Sequence, residues 1–221
     1  MKIARLNSDP EMFYSLQGEG AAAGTPAVFL RLAGCNLHCT WCDTKYSWGA
    51  GTELPVREVA ARLLPLAEGG AHLVITGGEP LLQEAELAEL LALLPADLYV
   101  EVETNGTLYP QNPALLQRVQ QWNISPKLPH SGNGACLNPA VLARWAAHAG
   151  AWFKFVVRGE EDWPAVAALH LPQQRIILMP CAATLPELTA ARPAVAAMCL
   201  RHRVRLGDRL HVVLWNDKKG V

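Results

Sequence analysis

Two patterns of hydrophobic and polar positions alternate along the chain. Short apolar runs rich in β-branched and aromatic residues predict six strands, at residues 28–32, 73–76, 98–103, 122–125, 152–157 and 175–179. Stretches with apolar residues at helical spacing predict six helices, at residues 56–66, 81–94, 113–120, 139–148, 163–169 and 185–198. This alternation predicts an α/β fold with a parallel sheet and crossover helices.

The pattern contains about six βα units, which is fewer than a closed eight-fold barrel requires. Such a barrel takes about 250 residues, and this chain has 221. We therefore predict a partial (open) βα barrel that forms a single domain over residues 1–221, since one hydrophobic core grows to about 250–300 residues. In folds of this kind, sites form at the carboxyl ends of the strands.

Composition and charge are those of an ordinary globular protein. The sequence has 19 basic and 20 acidic residues, a formal net charge of −1, and 51% hydrophobic residues. With this balance we expect neither nucleic acid nor a membrane surface as a partner. The apolar runs are shorter than a membrane span, and acidic residues among the first twenty argue against a signal peptide, so we expect a cytoplasmic location.

Polar residues beside glycine and proline follow five of the predicted strands. These segments are residues 34–44, 76–80, 101–106, 125–127 and 179–181. A single segment of this kind is ordinary turn chemistry. Because the carboxyl ends of parallel strands meet at one edge of a sheet, five such segments predict a functional site at that edge.

The first of these segments contains three of the six cysteines, Cys35, Cys39 and Cys42. A structural zinc site takes four ligands, and a [4Fe–4S] cluster ordinarily takes four thiolates. Three local thiolates would leave one iron of such a cluster open to a further ligand. Spacing alone leaves zinc as an alternative, with His38 or a distant cysteine as the fourth ligand.

The cysteine spacing, Cys-x3-Cys-x2-Cys after the first strand, resembles the signature of the radical S-adenosylmethionine (SAM) superfamily. The segment Gly77-Gly78-Glu79-Pro80 after the second strand is similar to that superfamily's Gly-Gly-Glu motif. The resemblance implies a partial barrel, a [4Fe–4S] cluster on the three cysteines, and SAM chelated to the open iron. It also implies a 5′-deoxyadenosyl radical that abstracts hydrogen from the substrate, while the protein positions the reactants and excludes water.

Further segments resemble one family within this superfamily, the 7-carboxy-7-deazaguanine synthases. They are residues 13–20 (FYSLQGEG), 29–37 (FLRLAGCNL), 41–44 (WCDT) and 215–221 (WNDKKGV). This resemblance implies a carbon–nitrogen lyase of queuosine and 7-deazapurine biosynthesis. Such an enzyme converts 6-carboxy-5,6,7,8-tetrahydropterin to 7-carboxy-7-deazaguanine with loss of ammonia and ring contraction, using SAM, a [4Fe–4S] cluster and Mg²⁺.

The same resemblance implies which residues bind the substrate. Arg31 carries a permanently charged fork suited to a carboxylate, and Gln17 and Glu19 carry groups that suit the amino-pyrimidinone edge of a pterin. The substrate-binding set that we expect is Leu16, Gln17, Gly18, Glu19, Arg31, Thr76, His211 and Val221. The last two belong to a C-terminal tail that we expect to close the pocket.

The resemblance also implies ligands for Mg²⁺ and SAM. Thr44 matches the magnesium ligand of the family, and a single protein ligand is compatible with Mg²⁺ because this ion keeps several waters. The expected SAM-binding residues are Trp41, Gly78, Glu79, Glu103, Ser125, Pro126, Lys127, Met179, Pro180, Cys181 and Ala182. At Met179 the sequence departs from the family, which often has glutamine there, so one side-chain hydrogen bond is lost.

Two other functions remain open at this point. A glycyl-radical-enzyme activase shares the cysteine loop and the Gly-Gly-Glu motif but acts on a protein, and Arg31 beside a Leu-Gln-Gly-Glu segment is not expected of it. A zinc-stabilised binding module would carry out no catalysis. For the lyase, the resemblance implies a homodimer that takes electrons from a flavodoxin or ferredoxin.

Overall fold

A computed structural model describes all residues from 1 to 221. The strands are β1 Lys2–Ile3, β2 Arg5–Leu6, β3 Asp9–Pro10, β4 Met12–Leu16, β5 Pro26–Leu32, β6 Thr52–Glu53, β7 His72–Gly77, β8 Val100–Thr104, β9 Gln121–Ile124, β10 Ala151–Val157, β11 Ile176–Pro180 and β12 Arg205–Leu206. The α-helices are α1 Val56–Leu63, α2 Glu84–Leu93, α3 Pro113–Arg118, α4 Pro139–Ala147, α5 Trp163–Ala167, α6 Leu185–His202 and α7 Leu210–Trp215.

The main sheet has the strand order β12-β11-β10-β9-β8-β7-β5-β1-β6, and β4 pairs with β5 beside this path. Seven neighbouring strands of this sheet are parallel to one another: β5, β7, β8, β9, β10, β11 and β12. Strands β1, β4 and β6 pair antiparallel with their neighbours. The first and last strands of the order do not pair, so the sheet stays open. The prediction of a partial βα barrel is therefore confirmed.

Strands β8 and β10 each have one apolar face and one face that carries charged side chains. Successive side chains of a strand point to opposite sides of the sheet. On β8, Val100 and Val102 pack with the helices in a core of 37 buried residues, while Glu101 and Glu103 take the alternate positions. On β10, Phe153 and Phe155 join that core and Lys154 lies between them. The helix-free face of the sheet therefore collects charged side chains.

The helices cover the apolar face of the sheet. Helix α1 buries Val56, Val59, Ala60 and Leu63, which recur at the three- and four-residue spacing of one helical face. Helices α2 to α6 contribute buried residues to the same core, whereas Val212 of α7 packs with Ala182 and Leu188 in a separate small cluster. No helix of the structure combines the length and the apolar composition of a membrane span.

The six predicted strands and six predicted helices are present, with shifted ends. Helix α2 begins at Glu84 because residues 80–83 form a 3₁₀ turn that starts with a proline. Helix α6 continues to His202, four residues beyond the predicted end. Arg203 follows it as the C-cap and adopts a left-handed conformation (φ 53°). Seven elements were not predicted, namely β1, β2, β3, β4, β6, β12 and α7. All of them except β4 and α7 have two residues, which is too short to show a periodic pattern.

Candidate active site

A cavity of about 470 Å³ lies on the polar face of the sheet, at the carboxyl ends of the parallel strands. Its volume falls in the range of about 300–1,000 Å³ that is typical of small-molecule sites. Charged side chains of both signs line it, from segments far apart in sequence: Glu19, Arg31, Glu103, Lys127, Lys154 and Arg209. The cavity therefore suits a polar, charged ligand.

A buried hydrogen-bond network lies beneath the cavity, centred on the carboxylate of Glu101. This carboxylate accepts hydrogen bonds from the side-chain nitrogens of Gln17 (3.4 Å), Gln121 (3.1 Å) and Asn123 (3.2 Å). Its other oxygen lies 2.7 Å from Nδ1 of His72. Because buried polar groups without partners are costly, the network fixes the cavity floor in one arrangement.

Gln17 joins this floor to the cavity wall. Its Nε2 also donates to Oε1 of Glu103 (3.3 Å), and its Oε1 accepts from the backbone N–H of Glu19 (3.2 Å). The second oxygen of Glu103 accepts from the hydroxyl of Thr76 at 2.8 Å. Both N–H bonds of the Gln17 amide are thus used within the protein, so this side chain orients Glu103, while its oxygen orients the backbone of Glu19.

Arg31, on β5, faces the cavity with part of its guanidinium free. Its Nε donates to Oε1 of Glu11 at 2.9 Å, and the hydroxyl of Tyr46 donates to the same oxygen at 3.1 Å. The terminal nitrogens of Arg31 make no hydrogen bond within the protein. Burial alone would lower the pKa of Arg31, but the Glu11 carboxylate raises it above its ordinary value. A permanent, oriented cation therefore faces the cavity.

Glu19 is the anionic counterpart, and three cationic or titratable groups surround it. It pairs with Lys154 of β10, accepts from Nε of Arg209 at 3.0 Å, and lies 3.9 Å from Nε2 of His211. Burial by itself would raise the pKa of Glu19, but Lys154, Arg209 and His211 hold it well below its ordinary value. Glu19 is therefore ionised at neutral pH.

Arg209 joins three segments of the cavity wall. Besides Glu19, its guanidinium donates to the carboxylate of Asp43, beside the cysteine loop, and to the backbone carbonyl of Ala182, after β11. The next residue, Leu210, donates its N–H to the carbonyl of Gly18 at 2.8 Å. The C-terminal segment therefore packs directly on the N-terminal segment around Gly18 and Glu19.

Gly18 and Gly78 lie where a side chain would not fit. A Cβ on Gly18 would lie 2.1 Å from Nδ1 of His211, and one on Gly78 would lie 2.0 Å from the carbonyl oxygen of Gly34 and 2.9 Å from Cβ of Cys35. The absence of a side chain at each position allows two wall segments to approach closely.

The three loop cysteines line the cavity beside these segments. Burial raises the pKa of Cys35 and Cys39, the neighbouring thiols raise it further, and the Lys127 ammonium opposes this. Sγ of Cys35 accepts from the N–H of Leu37 at 3.4 Å. The thiols are thus close enough to affect one another electrostatically, and the Lys127 ammonium beside Cys35 and Cys39 partly offsets the effect of burial on them.

The cysteine loop fits a cluster better than a single ion. No three His, Cys, Asp or Glu side chains in the structure are placed to hold one metal ion. A cubic cluster differs from a single ion because each thiolate bonds a separate iron, so its ligands surround a volume instead of converging on a point. Cys181 also lines the cavity, from the end of β11, but the loop itself supplies three thiols and no fourth, which fits a cluster that keeps one iron open.

On the same side of the cavity, Trp41 has a fixed orientation. Its indole N–H donates to Nδ1 of His130 at 3.1 Å, and Nε2 of His130 lies 3.1 Å from the carbonyl of Val156. Since an indole nitrogen can only donate, the imidazole accepts at Nδ1 and donates from Nε2. Lys127 lies 5.4 Å from the Trp41 ring centre and donates to the hydroxyl of Ser125 at 2.8 Å.

The structure brings all but two of the predicted site residues to the cavity lining. The two exceptions are Glu79 and Pro126. Glu79 is fully buried and accepts from the N–H of Leu81 (3.0 Å), the hydroxyl of Thr104 (2.8 Å) and the N–H of Asn105 (2.7 Å). Burial raises the pKa of Glu79 in spite of these bonds. Its carboxylate links the segment after β7 to the end of β8 by hydrogen bonds, outside the lining of the cavity.

Comparison with known proteins shows the family of the chain. Residues 30–130 match the radical SAM superfamily. The 7-carboxy-7-deazaguanine synthase of Pyrobaculum aerophilum is 43% identical over 95% of each chain. The chain belongs to the 7-carboxy-7-deazaguanine synthase family. The synthase of Halobacterium salinarum is a further relative, 36% identical over 94% of this chain and 90% of its own.

Solved structures agree with this membership of the 7-carboxy-7-deazaguanine synthase family. The crystal structure of QueE from Escherichia coli superposes with a TM-score of 0.69 at 28% identity, over 91% of this chain and 92% of that one. Membership of the radical SAM superfamily implies a [4Fe–4S] cluster and SAM as cofactors. These matches favour the lyase over the glycyl-radical-enzyme activase and over the zinc-stabilised binding module.

Charged and polar residues that line the cavity but were not predicted include Glu11, Tyr46, Lys154 and Arg209. Lys154 carried a usable signal, because it is a lone charge between phenylalanines on a strand and must therefore face the opposite side from the core. Arg209 carried none, since its three partners are distant in sequence and only the folded chain brings them together.

Proposed function

We propose that this protein converts 6-carboxy-5,6,7,8-tetrahydropterin to 7-carboxy-7-deazaguanine with loss of ammonia, in 7-cyano-7-deazaguanine and queuosine biosynthesis. The carrying observation is that one cavity contains the free end of the Arg31 guanidinium, the ionised Glu19 and the three loop thiols. A carboxylated pterin presents a matching anion and a donor edge. The family membership of the chain supports the same assignment.

The cofactors would be held by the cysteine loop and its neighbours. When bound to Cys35, Cys39 and Cys42, the [4Fe–4S] cluster and SAM supply the electron and the carbon radical for hydrogen abstraction. We assign SAM contacts to the cavity-lining members of the predicted set, which are Trp41, Gly78, Glu103, Ser125, Lys127, Met179, Pro180, Cys181 and Ala182. Glu79 and Pro126 would not contact SAM directly but would position the neighbouring residues Gly78, Ser125 and Lys127, which line the cavity.

In the proposed complex, Arg31 binds the substrate carboxylate with its two terminal nitrogens, an arrangement that fixes orientation as well as charge. Glu19 accepts hydrogen bonds from the ring edge of the pterin, while Lys154 keeps it ionised. Thr76 donates to Glu103, so its oxygen is available to a substrate donor. The backbone of residues 16–18 would lie along the ring, because Gly18 has no side chain in the way.

His211 and Val221 would complete the substrate pocket from the C-terminal side, and both line the cavity. Burial lowers the pKa of His211 below its ordinary value, although the Glu19 carboxylate opposes this. The imidazole is then neutral at pH 7 and has one donor and one acceptor nitrogen. It is suited to hold a proton of the substrate near Glu19.

We assign Mg²⁺ to Thr44, whose hydroxyl lies 3.7 Å from Sγ of Cys42. Mg²⁺ takes few protein ligands and uses substrate oxygens and waters for the rest of its octahedron. The neighbouring Asp43 is held by Arg209, and it would orient water on the ion. We further propose a single domain over residues 1–221, a homodimer, and a flavodoxin or ferredoxin as the electron donor.

The proposal is tested by anaerobic reconstitution with iron, sulfide, SAM, a reductant, Mg²⁺ and 6-carboxytetrahydropterin. We expect formation of a deazaguanine chromophore and release of ammonia. The matched control is Arg31→Met, which should retain the cluster and SAM cleavage but lose turnover of the pterin. If the wild-type protein has an intact cluster and cleaves SAM but forms no deazaguanine, the assignment is wrong.

A further inference from the structure

The cysteine loop is held by a second loop, the brace, which we define as residues 130–133. Hydrogen bonds between the two loops join His38 to Asn133, Thr40 to both His130 and Ser131, and Trp41 to His130. Their donor–acceptor distances run from 3.0 to 3.4 Å. The brace is therefore part of the environment of the cluster ligands, although it follows a different strand.

Asn133 is the brace residue that reaches a thiol. Its side-chain Nδ2 lies 3.5 Å from Sγ of Cys39, within hydrogen-bond distance for sulfur. The orientation of this amide is fixed, because its Oδ1 accepts from the backbone N–H of His38 at 3.3 Å and that group can only donate. The Nδ2 group also donates to the carbonyl of Ser131 at 3.2 Å. The donor end of the amide must therefore face the sulfur.

The other two loop cysteines have no comparable partner. Cys35 accepts from the backbone N–H of Leu37, two residues away, and Cys42 has the hydroxyl of Thr44 at 3.7 Å. Only Cys39 accepts from a side-chain amide of a distant segment, 94 residues along the chain. Asn133 thus adds a neutral donor to one thiolate without changing the charge of the site.

We propose that Asn133 is a positioning residue that sets the reduction potential of the cluster through Cys39. The inference rests on the proposed function, since it requires a cluster on the three thiolates. Reduction adds negative charge to an iron–sulfur cluster, and hydrogen bonds to its sulfurs stabilise the reduced form. The Asn133 amide therefore makes the cluster easier to reduce by its electron donor.

The test is a redox titration of the reconstituted protein, followed by electron paramagnetic resonance without substrate. Asn133→Ala removes the donor, and the reduced-to-oxidised ratio at a fixed potential should fall about tenfold, which is about 59 mV for a one-electron couple. Asn133→Asp keeps an acceptor for the His38 N–H but places a carboxylate at the sulfur, so the ratio should fall further. Thr40→Val is the matched control, because it removes a loop-to-brace bond that does not touch a thiol.

Equal potentials in wild type and both Asn133 variants, at equal iron content, would overturn the proposal. A shift in Thr40→Val as large as that in Asn133→Ala would also overturn it, since the effect would then come from loop position. If the carboxylate of Asn133→Asp prevents cluster assembly, the comparison of Asn133→Ala with Thr40→Val decides. Because no pterin is present, failure of pterin turnover bears on the proposed function alone.

Discussion

Arg209 offers a strong test of how the cavity is built, because one substitution removes three contacts. Arg209→Met keeps an apolar stem of similar length but deletes the bonds to Glu19, Asp43 and the carbonyl of Ala182. Glu19 retains Lys154, whereas Asp43 retains no cation in direct contact. We expect a less stable protein in which the cavity wall around Glu19 is disordered, while the cysteine loop still binds iron.

The burial of the three side chains sets the size of the effect. Side-chain exposure is 10% for Arg209, 14% for Glu19 and 31% for Asp43. Removing one partner of a buried pair costs about 3–5 kcal/mol. Glu19 keeps Lys154 as a partner and Asp43 is partly hydrated, so the cost of Arg209→Met should lie at the low end of this range. We therefore expect a loss of about 3 kcal/mol in the free energy of unfolding.

Urea unfolding of the reconstituted protein at several pH values measures this loss. Glu19 has a pKa held well below its ordinary value of 4.5, so its stabilisation is fully present above that pH and is lost as the pH falls through the lowered pKa. The difference between wild type and Arg209→Met should therefore be constant near neutral pH and should shrink below about pH 4.5.

Arg209→Lys is the matched control, because it keeps the charge but lacks the planar fork that spans several acceptors. It should recover part of the stability and little of the substrate affinity. An Arg209→Met protein that unfolds at the wild-type urea midpoint would refute the reasoning. A difference that persists unchanged well below pH 4.5 would show that the loss has no electrostatic origin.

Three further predictions concern the cofactor side of the cavity. Cys35→Ala should lose the iron–sulfur absorbance and all cleavage of SAM, as followed by optical spectra and by 5′-deoxyadenosine formation; retained cleavage would remove Cys35 from the cluster. Thr44→Ala should bind SAM normally but require at least about tenfold more Mg²⁺ for turnover, since the loss of even a residue that only supports a metal ligand costs about 10–100-fold in metal affinity; an unchanged Mg²⁺ titration would exclude Thr44. Gly78→Ala would place a Cβ 2.0 Å from the carbonyl oxygen of Gly34, so SAM affinity and iron content should both fall, and normal values would show that the loop can move aside.

The parallel sheet and its helices follow from local patterns in the sequence. On β8 and β10 every second residue is apolar and packs in the core, so periodicity alone fixes which side faces the helices. Helix α4 begins at Pro139, as predicted, and in the structure the Asn138 side chain before it accepts from the N–H groups of residues 140 and 141. The cysteine loop could also be predicted, because its motif is a local pattern with fixed spacing.

The wall of the cavity could not be predicted in this way. The roles of Gln17 and Glu19 depend on partners from β8, β10 and the C-terminal segment. A sequence shows that Gln17 carries an amide, but only the fold shows that the amide nitrogen already donates to Glu101 and Glu103. Glu79 illustrates the same limit, because two of its three buried hydrogen bonds come from Thr104 and Asn105, which are 25 and 26 residues away.

The bond between Glu19 and Arg209 has a consequence for the order of folding. It joins residues 190 positions apart, whereas the brace and the cysteine loop are about half as far apart, with Asn133 and Cys39 separated by 94 positions. Closing a longer loop of chain costs more entropy, and contacts distant in sequence tend to slow folding. We therefore expect the contacts between the brace and the cysteine loop to form before the contact between Glu19 and Arg209. The thiols would then be accessible to iron before the C-terminal segment closes the cavity.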